Sequence, residues 1–176
     1  MNKFNVFINK ILILFIICVT ITGCGKEENI LFEIPFELRF DIPAGLNPFD
    51  KHFFLVRNVQ TNIKELRNQF QIDENQPLII RPASAVLSST FQDNTYEFLA
   101  EIEISLFEDD PDQDIEAFLT ENVPVNAGRN VVVVPFETDL SKYIDDQAVN
   151  FKISLRLRST TPSFIESIIE MNFTAE

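Results

Sequence analysis

Residues 32–42 read Phe32-Glu33-Ile34-Pro35-Phe36-Glu37-Leu38-Arg39-Phe40-Asp41-Ile42. Every even position is apolar, and every odd one is charged or proline. A period of two over this length sends one row of side chains into a core and the other into water, the mark of a half-buried β-strand. Pro35 has no N–H to give a ladder, so the strand belongs at a sheet edge or carries a bulge.

The same rhythm returns downstream. In residues 96–107, Tyr96, Phe98, Ala100, Ile102, Ile104 and Leu106 share one phase, and Glu97, Glu101, Glu103 and Ser105 share the other. In residues 149–157, Val149, Phe151, Ile153, Leu155 and Leu157 alternate with Asn150, Lys152, Ser154 and Arg156. Residues 52–59 are more apolar and read as a central strand. Residues 77–82 and 83–90 read as strand pieces around Pro82; 115–120, 130–136 and 164–174 complete the set. Pro, Gly, Asn and Ser mark turns at 43–48, 126–129 and 160–163. Only Ile63, Leu66 and Phe70 fall at helical spacing, with Thr61 or Asn62 as cap, and residues 139–144 suggest one or two helical turns. Parallel strands need crossover helices that this pattern lacks. The prediction is an all-β chain: a single antiparallel β-sandwich over residues 31–176, immunoglobulin-like or related, with roughly seven to nine strands and one or two short helices.

The N-terminal residues follow another logic. Lys3 and Lys10 flank a start without acids, and Ile11 to Val19 is uncharged and apolar. That run is about half of the ~20 residues a membrane-spanning helix needs. A basic start, a short apolar middle and small residues after it describe a signal peptide over residues 1–23. It ends on Ile21-Thr22-Gly23-Cys24, which resembles the lipobox of bacterial lipoproteins. The resemblance implies that the Cys24 thiol takes a diacylglyceryl group, that the leader is cut before it, and that the freed amine is acylated, with palmitate as the expected chain. At roughly 0.8 kcal/mol per buried methylene, two or three chains make a stable membrane anchor. The following Gly25-Lys26-Glu27-Glu28 is similar to the export signal of Bacteroidota lipoproteins, in which a Lys and paired acids soon after the Cys direct the protein outward. Lys26, Glu27 and Glu28 therefore imply display on the outer-membrane surface, with a periplasm-facing outer-membrane position as the alternative. The resemblance covers residues 1–30. Residues 24–30 form a short linker reaching roughly 20 Å when extended.

The formal net charge is −13. Losing the leader removes two lysines and no acid, so the mature chain is more acidic still. Such a surface repels nucleic-acid phosphates and anionic headgroups, so no nucleic-acid partner is expected and lipid must supply the hold on the membrane. Cys18 leaves with the leader and Cys24 is consumed, which leaves no thiol for a disulfide, a metal or a nucleophile.

Candidate chemistry is sparse. The single histidine, His52, cannot build a zinc cluster, lies in no nucleophile-elbow motif, and reads as a surface residue. The acidic loop Glu108-Asp109-Asp110-Pro111-Asp112-Gln113-Asp114 places Asp110, Asp112 and Asp114 at calcium-loop spacing, with Glu121 at the twelfth position. Ile115 stands where the sharp turn requires Gly, and strands flank it where an EF-hand has helices. No metal site and no cofactor are expected; those three aspartates are the nearest approach to a calcium site. Tyr96 and Tyr143 are the only exposure-tolerant aromatics for stacking a sugar, and both fit inward phases. No catalytic residue is expected. The functional expectation is a non-enzymatic binding or structural lipoprotein, an accessory subunit of a surface complex that docks an envelope protein through the edge near Pro35 or the loops at one end. The alternatives are a glycan-binding module of a polysaccharide-uptake system and a hydrolase.

Overall fold

The computed structural model describes residues 30–91, 94–144 and 147–176. The expected leader, Cys24 and the Lys26-Glu27-Glu28 signal lie outside the described residues. Within them, eight strands and one helix follow in the order β1 Phe32–Ile42, β2 Lys51–Gln60, α1 Ile63–Gln69, β3 Ile80–Ser89, β4 Leu99–Phe107, β5 Ile115–Thr120, β6 Asn130–Pro135, β7 Ala148–Leu157 and β8 Ile165–Ala175.

All pairings are antiparallel. They join the strands into one sheet of order β1-β8-β3-β6-β5-β4-β7-β2. The sheet folds over at the short β5–β6 contact, where Phe118 and Leu119 pair with Pro135 and Val134. One layer is therefore β1-β8-β3-β6 and the other β5-β4-β7-β2. Every connection except the β4–β5 hairpin crosses between layers, which is the strand arrangement of a jelly roll rather than the two-sheet order of an immunoglobulin domain. At the open seam the terminal strands β1 and β2 are not paired; the rings of Phe40 and Phe54 meet there at 5.1 Å.

β1 keeps the expected bounds and alternates buried and exposed along its whole length. It pairs only with β8, so Pro35 sits on an edge strand. The expectation of a central β2 is corrected: it pairs only with β7, and Phe53 and Leu55 face solvent at 55% and 45% exposure. Apolar content there reflects a partly open outer face rather than burial on both sides. The two pieces around Pro82 are one strand with an irregularity between Pro82 and Ser84. The helix forms where helical spacing placed it, but Asn62 makes no side-chain cap bond. Residues 140–144 make a single turn, with the Tyr143 and Ile144 amides donating to the Leu140 carbonyl.

The core lies between the layers and is aromatic at its centre. Phe173 on β8 meets Phe36 edge-on at 5.4 Å, Phe118 at 5.5 Å and Phe151 at 6.4 Å. Phe36 also meets Phe151 at 5.3 Å. These rings come from both layers, so they clamp the fold across its thickness. Phe173→Ala should destabilise the protein by about 3–5 kcal/mol, read as a lower denaturant midpoint with an unchanged slope. Phe53→Ala, on an exposed position of β2, should cost about 0.5 kcal/mol or less.

Candidate functional site

The registers place four loops at one end of the fold. β1 ends at Ile42 opposite Ile165, and β3 ends at Ser89 opposite Ser167. Ser88 meets Asn130 at the start of β6. On the other layer Leu99 meets Leu157, and Lys51 meets Arg156. Loops 43–50, 121–129 and 158–164 and the described residues of the β3–β4 connection, 90–91 and 94–98, therefore converge. Residue 30, helix α1, the acidic loop and the C-terminus lie at the opposite end.

The converging loops are braced to one another. Thr161 is buried; its hydroxyl donates to the Pro43 carbonyl at 2.7 Å and accepts from the Leu46 amide at 2.9 Å. The Gly45 amide donates to the Thr161 carbonyl at 3.0 Å, from a left-handed turn at φ +80° that suits glycine. Arg158 donates to the Leu99 carbonyl at 2.7 Å and also to that of Val123, tying the β7–β8, β3–β4 and β5–β6 connections together. The Tyr96 amide donates to Gly128 at 3.1 Å.

On this frame each loop exposes one large apolar side chain. Phe49 is 93% exposed, Val125 72%, Phe91 54% and Phe164 50%. Scattered exposed apolar residues are normal; here one stands on each of the four connections at the same end of the fold. A shallow cleft at Val125 is lined also by Thr95, Glu97, Phe98 and Thr160.

The residues singled out in the sequence fall elsewhere or inside. Tyr96 is fully buried; burial pushes its phenol pKa up to about 12, against the opposing effect of its hydrogen bond to Ser167 Oγ at 3.0 Å. Tyr143 is half-buried against the core. Neither forms an exposed stacking platform. His52 is half-buried rather than fully on the surface, and its Nε2 lies 2.8 Å from the Asn47 carbonyl, at the base of loop 43–50.

The three aspartates of the acidic loop do not converge. Asp110 accepts from the Asp112 amide at 3.0 Å and from Gln113 at 3.2 Å, closing its own turn. Asp114 turns into the outer face of the second layer, bonded by Ser105 and 3.1 Å from Lys152 Nζ. Among the described residues no group of three His, Cys, Asp or Glu side chains is placed to hold a metal ion.

That outer face carries a lattice that alternation alone did not reveal. Lys51 donates to Glu103 at 2.5 Å and lies 3.7 Å from Glu101, which is 3.6 Å from Arg156. Glu103 and Ser105, in the expected outward phase of β4, are consequently buried. Burial alone would raise the Asp114 carboxyl; the hydrogen bonds from Ser105 and Lys152 outweigh it and hold the pKa below the usual range. The signal was the spacing of opposite charges on β2, β4 and β7, readable only once the register is known.

Comparison with protein-family models, with curated proteins and with solved structures finds no match.

Two outcomes follow from these contacts. Thr161→Val removes one donor and one acceptor from loop bracing and should cost about 1–3 kcal/mol, with faster hydrogen exchange at the Leu46 amide. Asp114 has a folded pKa below its unfolded value near ~4, so its stabilisation is present above that pH and is lost as pH falls through the folded pKa. In Asp114→Asn the acid limb of a stability–pH curve should be shallower than in the parent.

Proposed function

We propose that this chain is a lipid-anchored outer-membrane lipoprotein, displayed on the cell surface, that acts by binding a protein partner rather than by catalysis. The observation that carries the binding role is the braced loop end with Phe49, Phe91, Val125 and Phe164 exposed on its four connections. Apolar side chains on a pre-ordered frame lose little entropy on docking, so more of the buried area appears as affinity. Large aromatic side chains are also the usual anchors of protein interfaces.

The anchor is supported by the sequence before residue 30 and is compatible with the topology. The chain enters β1 at the end opposite the loops. An anchor at Cys24 with a short linker puts helix α1 and the acidic loop toward the bilayer and the loop tips away from it. The acidic net charge works against adhesion of the tips to an anionic surface.

Two measurements test the proposal. Cys24→Ala should move the protein from the membrane to the soluble fraction, and protease added to intact cells should digest the parent. A photo-reactive residue at position 49 or 125 should give one discrete protein adduct in the native membrane, and the same residue at exposed Glu116 should not. Retention of Cys24→Ala in the membrane would remove the anchor; identical adducts from all three positions would remove the loop end as the binding surface.

A further inference from the structure

The two outer faces of the jelly roll treat charge differently. On the second layer, Lys51, Lys152 and Arg156 are interleaved with Glu101, Glu103 and Asp114 in ion pairs. On the first layer, register sets acid against acid: Glu37 lies opposite Glu170, and Asp41 opposite Glu166. Directly opposed residues have Cβ atoms about 4.5–5.5 Å apart, and like charges there are destabilising. Arg39 is the one base in this part of β1 and β8, and it is already bound to Glu37 at 2.7 Å. Among the described residues Glu170 has no ion-pair partner.

This face is not simply a solvated acidic surface. Uncharged and apolar side chains run through the acids. Val86 stands between Glu170 and Val132, and Ser84 stands beside Asn172, which faces Pro35. Val132 and Val134 are 67% and 58% exposed. A depression of about 500 Å³ opens here, with Glu37, Glu170, Pro35, Val86 and Asn172 among its lining.

We infer that the outer face of β1, β8 and β3 is a docking surface for a protein segment presenting basic side chains, Arg above all. The stem of an incoming Arg would lie on Pro35 and Val86 and its guanidinium would enter between Glu37 and Glu170. Long cationic side chains bury their stems on apolar surface in this way, and the planar guanidinium matches carboxylates bidentately. A second copy of this chain is the wrong occupant, because acid would meet acid. This surface is separate from the loop end and stands without it.

The test uses the full chain in neutral detergent and a short synthetic peptide of alternating Arg and Val. A peptide with Glu in place of Arg is the control. The Arg–Val peptide should bind and the Glu–Val peptide should not. The double change Glu37→Gln with Glu170→Gln should weaken binding by about tenfold or more, with a thermal midpoint equal to or above the parent's. Asp109→Asn with Asp112→Asn removes the same charge from the far end and should leave affinity within about twofold. Equal losses in both double variants would reduce the effect to general charge attraction and overturn the inference. So would absence of Arg–Val binding by the parent, or self-association of the parent through this face.

Discussion

The fold depends on one contact set between the two layers: Phe173 packs edge-to-face on Phe36 and Phe118 and tilted against Phe151. Among the described residues there is no cysteine to staple the layers, so packing has to hold them. Aromatic pairs in this geometry contribute about 0.5–1.5 kcal/mol each beyond area burial. Their placement also sets the spacing of the layers. Among the described residues the two layers share a strand ladder only at the short β5–β6 fold, and the β1–β2 seam is closed by rings rather than by a ladder. With the thickness set at the centre, the strand ends and the loops leaving them have fixed positions.

That rigidity explains how irregular segments can form a surface. Loops are ordinarily mobile because few buried contacts hold them. Here Thr161, Arg158 and the Tyr96 amide tie four connections together through buried or half-buried hydrogen bonds. Such groups cannot be left unpaired without cost, so bracing and loop shape are coupled. Phe mostly goes inward in this fold; of the five exposed rings among the described residues, Phe49, Phe91 and Phe164 stand at this braced end and Phe53 and Phe70 elsewhere.

Local pattern made the strands legible and left their arrangement hidden. Residues 32–42 read as a strand through alternation, with Pro35 pointing to a sheet edge or a bulge, and residues 149–157 were equally plain as a strand. β2 misled because Phe53, Leu55 and neighbouring apolar residues signal burial whichever layer or edge they occupy. Strand order is a matter of long-range pairing, such as Ile80 with Ala175, and no local period encodes it. For the same reason the jelly-roll crossing of layers was not readable, although the antiparallel all-β class was. The inward phase of Tyr96 was legible; the use of Arg158 as a loop clamp was not, because its partners are backbone carbonyls 35 and 59 residues away. The acidic loop looked most specific in the sequence. In the fold its aspartates separate, since Asp114 is drawn to Lys152 across the sheet.

Under the proposed anchor, the direction in which the molecule would face follows from strand length and polarity. β1 has 11 residues and at about 3.3 Å per residue spans roughly 36 Å from the entry of the chain to the loop end. The proposed linker, residues 24–30, extends about 20 Å at most. With the proposed anchor, the loop tips therefore stand farther from the bilayer than any other part of β1 when the domain is upright. Glu170, the acid with no ion-pair partner among the described residues, lies on β8 opposite Glu37 of β1, so under that proposed anchor their face would run along the side of the molecule, between the bilayer and the loop end. Under the proposed tether the loop end would reach outward, and the acidic face of β1, β8 and β3 would stand to the side, where a neighbour on the same membrane would meet it.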